Sequence, residues 1–291
     1  MSKAQILRNL FKAKDLVRLV GAHNGLSAKL IEKNGFEGVW ASGFEICTSF
    51  GLPDASILSM KHFLDVCTSI NDATKLPVVL DADTGYGDVN NVIYLIRQLE
   101  KHDIGGLVIQ DSTFPKMNSF IGNHHKLVSI EEFTNKIRAI KDHSEKGIMI
   151  FARTESFIAG FDLKETLKRA TAYAETGADG IFIHSRLTNP SEVVAFVENF
   201  DYNLPIIICP TNYPSFDIEE IKKYPKIRCV IYANHGIRSQ IKAMNVMLSE
   251  LNKYNDLSKV EKYICSMNEA FELQEMHLLR NNLIKYSNNR K

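Results

Sequence analysis

The chain has 291 residues and 45% hydrophobic content, enough for a large buried core in one or two domains. Its 35 basic and 34 acidic residues leave a formal net charge of +1, which gives no electrostatic footprint for nucleic acid or an anionic membrane. No apolar run approaches the roughly 20 residues of a membrane helix, Met1 to Phe11 carries no signal-peptide pattern, and the scattered Cys47, Cys67, Cys209, Cys229 and Cys265 suggest neither a disulfide framework nor a zinc site. The expectation is a protein of the reducing cytoplasm.

Eight short apolar runs follow one another, each ending in polar residues: 16–23 (LVRLVGAH), 38–43 (GVWASG), 76–83 (LPVVLDAD), 105–112 (GGLVIQDS), 147–154 (GIMIFART), 180–186 (GIFIHSR), 204–211 (LPIIICPT) and 228–235 (RCVIYANH). Continuous rather than alternating hydrophobicity predicts strands covered on both faces, as in parallel sheets. Between the runs the spacing turns helical. Over 88–102 the apolar positions are Val89, Val92, Ile93, Ile96 and Leu99, and over 162–176 they are Leu163, Leu167, Ala170 and Ala174, with Asp162 a candidate N-cap and Gly177 a candidate stop. Strands alternating with helices, without a linker or composition break, predict a single-domain (β/α)8 TIM barrel over 1–291. A doubly wound open sheet is the competitor, but no GxGxxG follows the first strand. Residues 260–286 read as one further helix, with apolar positions at Tyr263, Ile264, Met267, Phe271, Met276, Leu279 and Leu283. It would either cap the barrel's own surface or make an oligomer contact.

In such a barrel the active site lies at the C-terminal ends of the strands. Those ends carry His23, Ser42, Asp81, Asp83, Gln110, Asp111, Arg153, His184, Thr211, Asn234 and His235. Asp81 and Asp83, two apart on a strand, are expected to point the same way into the mouth, where a shared cation, Mg²⁺ by its preference for oxygen ligands, would relieve their repulsion. The competing reading is a solvated, helix-capping loop. Arg153 suits bidentate recognition of a carboxylate or phosphoryl group, or else a structural ion pair with Glu155. His184 titrates near neutrality or serves as a hydrogen-bonding strut. The Pro-broken stretch 113–120 predicts a loop over the mouth, with Lys116, Asn118 and Ser119 as donors to an anion beneath.

Together the stretches 40–43 (WASG), 80–87 (LDADTGYG), 114–119 (FPKMNS), 152–160 (ARTESFIAG) and 183–185 (IHS) resemble the phosphoenolpyruvate mutase branch of the isocitrate lyase superfamily, and the similarity extends from 22–27 (AHNGLS) to 233–238 (ANHGIR). The resemblance implies interconversion of phosphoenolpyruvate and 3-phosphonopyruvate, with phosphorus–carbon bond formation for phosphonate biosynthesis. It also implies a C-terminal helix exchanged between subunits, in dimers assembled into tetramers. The lyases of the superfamily carry a cysteine in their lid where this chain has Asn118, and the hydrolases usually have threonine there. Phosphonopyruvate hydrolysis, a 2-oxo acid lyase or decarboxylase, and a non-catalytic anion-binding homologue are the alternatives. Carried over residue by residue, Mg²⁺ is held at Asp81 and through water at Asp83 and Gln110. Trp40, Ser42, Gly43 and Phe44 contact substrate, while Arg153, Asn118, Ser119 and His184 hold the phosphoryl group. Lys116 acts from the lid, and Asp54 lies near the migrating group. This chain departs from the family at Gln110 and Ser112, which stand where the family has glutamate and lysine, so weaker Mg²⁺ binding or altered substrate choice is expected.

Overall fold

A computed structural model describes residues 1–122 and 125–287. Eight strands pair in parallel in sequence order: β1 (Val17–Ala22), β2 (Gly38–Ala41), β3 (Val78–Asp81), β4 (Gly106–Gln110), β5 (Met149–Thr154), β6 (Gly180–Ile183), β7 (Ile206–Ile208) and β8 (Ile227–Tyr232). β8 closes onto β1, with Val17 opposite Cys229 and Leu19 opposite Ile231. The expected (β/α)8 barrel is the fold observed. Seven of the apolar runs contain their strand whole and the eighth misses only Ile227 of β8, and the polar residues at the end of most runs fall in the loop beyond the strand.

Side-chain alternation splits the strand residues into two cores. Leu19, Trp40, Val79, Val108, Phe151, Phe182, Ile207 and Ile231 fill the inside of the barrel. Val39, Leu80, Leu107, Ile150, Ile181 and Ile208 face outward against the helices. This double burial makes the runs continuous in sequence. The helices of this layer are α1 (Lys3–Ala13), α2 (Gly25–Lys33), α3 (Gly43–Ser49), α4 (Met60–Asp72), α5 (Val89–Lys101), α6 (Ile130–His143), α7 (Leu163–Glu175), α8 (Ser191–Asn199) and α9 (Ile218–Ile221); α10 (His235–Tyr254) follows β8 in the chain. Asp88 caps α5 by accepting from the Asn90 and Asn91 amides, Asp162 caps α7 by accepting from Glu165, and Gly177 follows α7 at φ +101°. The sequence reading assigned no element to α1. Its Leu7 and Phe11, four apart on one helix face, join the inner core, where the Phe11 and Phe151 rings lie 5.4 Å apart.

The chain divides into two units, residues 1–237 and 238–291. The second unit holds most of α10, then α11 (Met267–Leu273) and α12 (Met276–Ser287). The single helix expected over 260–286 is therefore not what forms. Ser266 caps α11 afresh by accepting from the Glu269 amide, and Glu275, at φ +56°, separates α11 from α12. α11 and α12 bury no residue, and Met267, Leu279 and Leu283 are exposed. All five cysteines are free thiols, four of them buried. Among the described residues no helix is long and apolar enough to cross a membrane.

Gly21 on β1 meets a fixed neighbour. A Cβ there would press on Glu45 Oε1 and come within 2.6 Å of the Ala233 carbonyl oxygen. Since backbone cannot yield as a side-chain tip does, Gly21→Ala is expected to destabilise the protein by about 3 kcal/mol, read from urea unfolding.

Candidate active site

At the C-terminal end of the strands lies a cavity of about 310 Å³. Trp40, Ser42, Phe44, Asp54 and Asp81 line one side, Arg153, His184, Thr211, Asn212 and Asn234 the other, and Lys116, Asn118, Ser119 and Phe120 come from the segment after β4. All six residues expected to be catalytic thus meet in one space. Gly43, Asp83 and Gln110 do not line it, although Gly43 and Asp83 adjoin lining residues. A roomier groove of about 700 Å³ between α4 and α5, lined by Lys61, Asp65, Tyr94 and His102 among others, is reached by no strand end.

The carboxylates meet by a different route from simple strand alternation. β3 ends at Asp81, and Asp83 sits beyond it at φ +49°, so a left-handed turn swings its carboxylate back beside Asp81. Both border the Gly43 Cα: a side chain at that position would approach Asp81 Oδ2 at 3.1 Å and Asp83 Oδ1 at 3.4 Å. The Gly43 N–H is directed at Asp81 Oδ2 at 3.4 Å. Burial, helped by Asp81 and Asp54, pushes the Asp83 carboxyl up to about 7 against the pull of Lys116. The Lys116 ammonium bridges Asp54 Oδ1 at 2.8 Å and Asp83 Oδ1 at 2.5 Å. Burial disfavours its charge, yet Asp83, Asp54 and Asp81 raise it above the ordinary lysine value. Burial likewise opposes the Asp54 charge, while Lys116 and the Asn118 amide hold that carboxyl below the usual range.

Three carboxyl groups against one ammonium leave this corner with net negative charge. Asp81 Oδ1 is buried with no hydrogen-bond partner among the described residues. An orphaned carboxylate oxygen beside a second carboxylate fits a hard divalent cation. Among the described residues no three His, Cys, Asp or Glu side chains form a complete metal cage, so a bound ion would draw its remaining ligands from water and substrate.

Across the cavity the arrangement suits an anion. Arg153 Nη2 donates to Ser119 Oγ at 2.9 Å and reaches His184 Nδ1 at 2.7 Å, its Nε pairs with Glu155 Oε1, and its guanidinium lies 4.9 Å from the centre of the Phe182 ring. Arg153 is thus ion-paired with Glu155 and also lines the cavity. Ser119 Oγ donates to Glu155 Oε2 at 2.6 Å. Burial and the neighbouring Arg153 lower the His184 imidazole, so the ring is neutral; with Nδ1 accepting from Arg153, the hydrogen-bond network assigns the proton to Nε2.

Glu155 is the functional residue that the sequence reading left in a supporting part. Spaced two from Arg153, it organises Arg153, Ser119 and His184 together. Thr211 and Asn234 carried a strand-end signal but no role, and Asn212 carried no signal. Three strand-end residues turn elsewhere. His23 pairs with buried Glu45 at 2.8 Å. Asp111 accepts from Thr154, Tyr173 and Arg169. His235 begins α10. The two departures from the family pattern meet each other, because Gln110 Nε2 donates to Ser112 Oγ at 3.0 Å.

The segment 113–122 closes over this space. Asn118 Nδ2 donates to Asp54 Oδ2 at 2.7 Å, and the Phe120 ring stands edge-on to His184 at 5.1 Å. Oxygen ligands for a cation on one side, guanidinium and imidazole donors for an anion on the other, and a loop lying over both make this the centre of a barrel enzyme acting on a small, multiply anionic substrate.

Comparison with known proteins agrees. The family model for phosphoenolpyruvate phosphomutase matches residues 7–252. The phosphoenolpyruvate phosphomutase of Tetrahymena pyriformis is 40% identical over 274 residues, 94% of this chain and 91% of that protein. Among solved structures, phosphoenolpyruvate phosphomutase from Streptomyces platensis subsp. rosaceus superposes with a TM-score of 0.95 at 40% identity, covering 98% of this chain and 99% of the other. Phosphonopyruvate hydrolase in complex with oxalate and Mg²⁺ superposes with a TM-score of 0.93 at 36% identity, over 98% and 99%. The chain belongs to the phosphoenolpyruvate phosphomutase family.

Burial opposes the Glu155 charge, but the Arg153 guanidinium and the Ser119 hydroxyl hold its carboxyl well below the usual range. Its contribution to stability is therefore complete above the ordinary glutamate pKa of about 4.3 and is lost as the pH falls toward the lowered value in the fold. Glu155→Gln is expected to cost about 3 kcal/mol at neutral pH, by leaving Arg153 uncompensated. The variant should also lose stability less steeply between about pH 5 and pH 3 than the parent protein, as followed by urea unfolding.

Proposed function

We propose that the protein interconverts phosphoenolpyruvate and 3-phosphonopyruvate, moving the phosphoryl group between the C2 oxygen and C3. The observation that carries this reading is the lid: Asn118, where a lyase would need a thiol, is bonded to Asp54 across a cavity whose far wall is Arg153 and His184. Magnesium would be held by Asp81 and, through water, by Asp83 and Gln110, and would supply positive charge to offset the substrate's anionic oxygens. The Ser42-Gly43-Phe44 turn and Trp40 seat the three-carbon acid. Arg153, with Glu155 fixing its plane, offers its guanidinium to the phosphoryl oxygens, and His184, Ser119 and Asn118 add donors. Lys116 and Asp54 flank the path of the migrating group.

The transfer breaks one bond to phosphorus and makes another, with no net proton. Its transition state is loose and metaphosphate-like, so these residues act by position and charge rather than by bond making. Water is the competitor. A closed lid lets C3 recapture the phosphorus, and a leaking one gives phosphate and pyruvate. We place the protein in the cytoplasm, in keeping with its free thiols. The exposed apolar side chains of α11 and α12 support packing against a second copy, as in a tetramer built from two dimers.

Phosphorus NMR of the protein with Mg²⁺ and phosphonopyruvate should show phosphoenolpyruvate appearing, and chelation of the metal should stop it. Phosphate with pyruvate as the sole products would instead make the protein a hydrolase. Asp81→Asn should lower kcat/KM by at least about a thousandfold with the fold intact by circular dichroism. Gln110→Glu should tighten Mg²⁺ binding by about tenfold in calorimetry, because a formal charge replaces a dipole beside the ion.

A further inference from the structure

The segment 113–122 is held in two ways. Side chains of Lys116, Asn118 and Ser119 reach Asp54, Asp83 and Glu155, all within the reaction site. Two further bonds grip the segment by its backbone, and they come from residues with no part in the chemistry above. Ser56, in the turn between α3 and α4, accepts the Lys116 N–H on its Oγ at 3.0 Å. Arg186, just past β6, donates its Nε–H to the Ser119 carbonyl at 2.5 Å. The two grips fall on either side of Asn118.

Arg186 is itself braced. Asn212 donates to its carbonyl at 3.1 Å. The preceding Ser185 hydroxyl donates to Glu192 on α8 at 2.5 Å and accepts from the Leu187 amide at 3.1 Å. Yet Arg186 Nη2 is buried without a hydrogen-bond partner among the described residues. An orphaned donor is a cost that the closed arrangement carries and that solvent relieves once the loop lifts. That makes the contact a reversible catch rather than a permanent brace.

We propose that Arg186 and Ser56 are positioning residues that latch the loop backbone over the substrate, and that they thereby set how much of the phosphoryl group is recaptured by carbon rather than lost to water. The inference rests on the mutase reading. From phosphonopyruvate, the phosphorus–carbon bond breaks toward the enolate of pyruvate. In the productive course the enolate oxygen takes the phosphorus, giving phosphoenolpyruvate. When water enters, its oxygen bonds to phosphorus instead, inorganic phosphate forms, and the enolate takes a proton at C3 to leave pyruvate. Neither course needs an oxidant, a reductant or a further co-reactant. Loosening the latch enlarges the second course without removing any group that touches the substrate.

The test compares the parent protein with Arg186→Ala, Arg186→Lys and Ser56→Ala. Amide hydrogen exchange over 113–122 reports the loop, and phosphorus NMR with Mg²⁺ and phosphonopyruvate reports the products. Arg186→Ala should exchange faster and raise the phosphate share about tenfold, the size expected for losing one hydrogen bond from a charged donor. Ser56→Ala should move both readouts in the same direction by a smaller factor, and Arg186→Lys, which keeps a charged donor, should recover most of the parent behaviour. Unchanged exchange in both alanine variants overturns the latch, and faster exchange with an unchanged phosphate share overturns its control of the outcome. If Arg186→Ala does not fold, Ser56→Ala, which deletes one hydroxyl from a half-buried turn, decides the matter alone. A parent protein that forms no phosphoenolpyruvate defeats the mutase reading, and the exchange result still decides the latch.

Discussion

The Lys116 ammonium, set between Asp54 and Asp83 with Asp81 close by, is the interaction on which the mouth of the barrel depends. Taking charged groups out of water costs several kcal/mol per ion, and only close opposite charges and hydrogen bonds offset it. Asp81 ends β3, Asp83 lies in the left-handed turn just beyond it, and Asp54 lies in the turn after α3. Their counter-charge comes from a segment with no regular structure. Within that segment Lys116 reaches Asp54 and Asp83, Asn118 reaches Asp54 and Ser119 reaches Glu155. Binding of a charged substrate and closure of the loop are then parts of one electrostatic arrangement.

The barrel interior makes this arrangement effective. Trp40 and Phe182 form an apolar floor, their rings 6.3 Å apart edge to face, and Arg153 rests on Phe182. Such a floor keeps the local dielectric low, which strengthens each charge interaction above it and raises the cost of any unpaired one. Glu155 therefore has two effects that cannot be separated. It neutralises Arg153 so that the guanidinium can be buried at all, and it orients that guanidinium together with Ser119 and His184.

Most of the fold was legible because the barrel imposes it everywhere in the same way. A strand covered on both faces must be apolar at successive positions, and a helix lying on that sheet must repeat its apolar residues every three or four, so both patterns are written locally. The caps at Asp88 and Asp162 are local too. What escaped was decided by contacts distant in sequence or by backbone dihedrals. The left-handed turn at Asp83 and the break at Glu275 leave little trace in residue type, since neither is a glycine. Arg186 meets Ser119 across 67 positions and Glu155 meets Ser119 across 36, and no periodicity reports such a meeting. The candidate site was legible as a collection of polar strand ends, whereas the separate roles within it came from the resemblance of whole motifs.

Gln110 and Ser112 belong to the same charge balance. A glutamate at 110 would bring a further carboxylate close to Asp83, whose backbone carbonyl already accepts the Gln110 N–H at 2.7 Å. A lysine at 112 would be its natural counter-charge. With both charges replaced by neutral groups that bond each other, neither side chain is left unsatisfied in the interior. The corner keeps its three aspartates and one lysine, and with them a net negative charge. Gln110 and Ser112 thus keep the buried hydrogen bonding of this corner without adding charge to it.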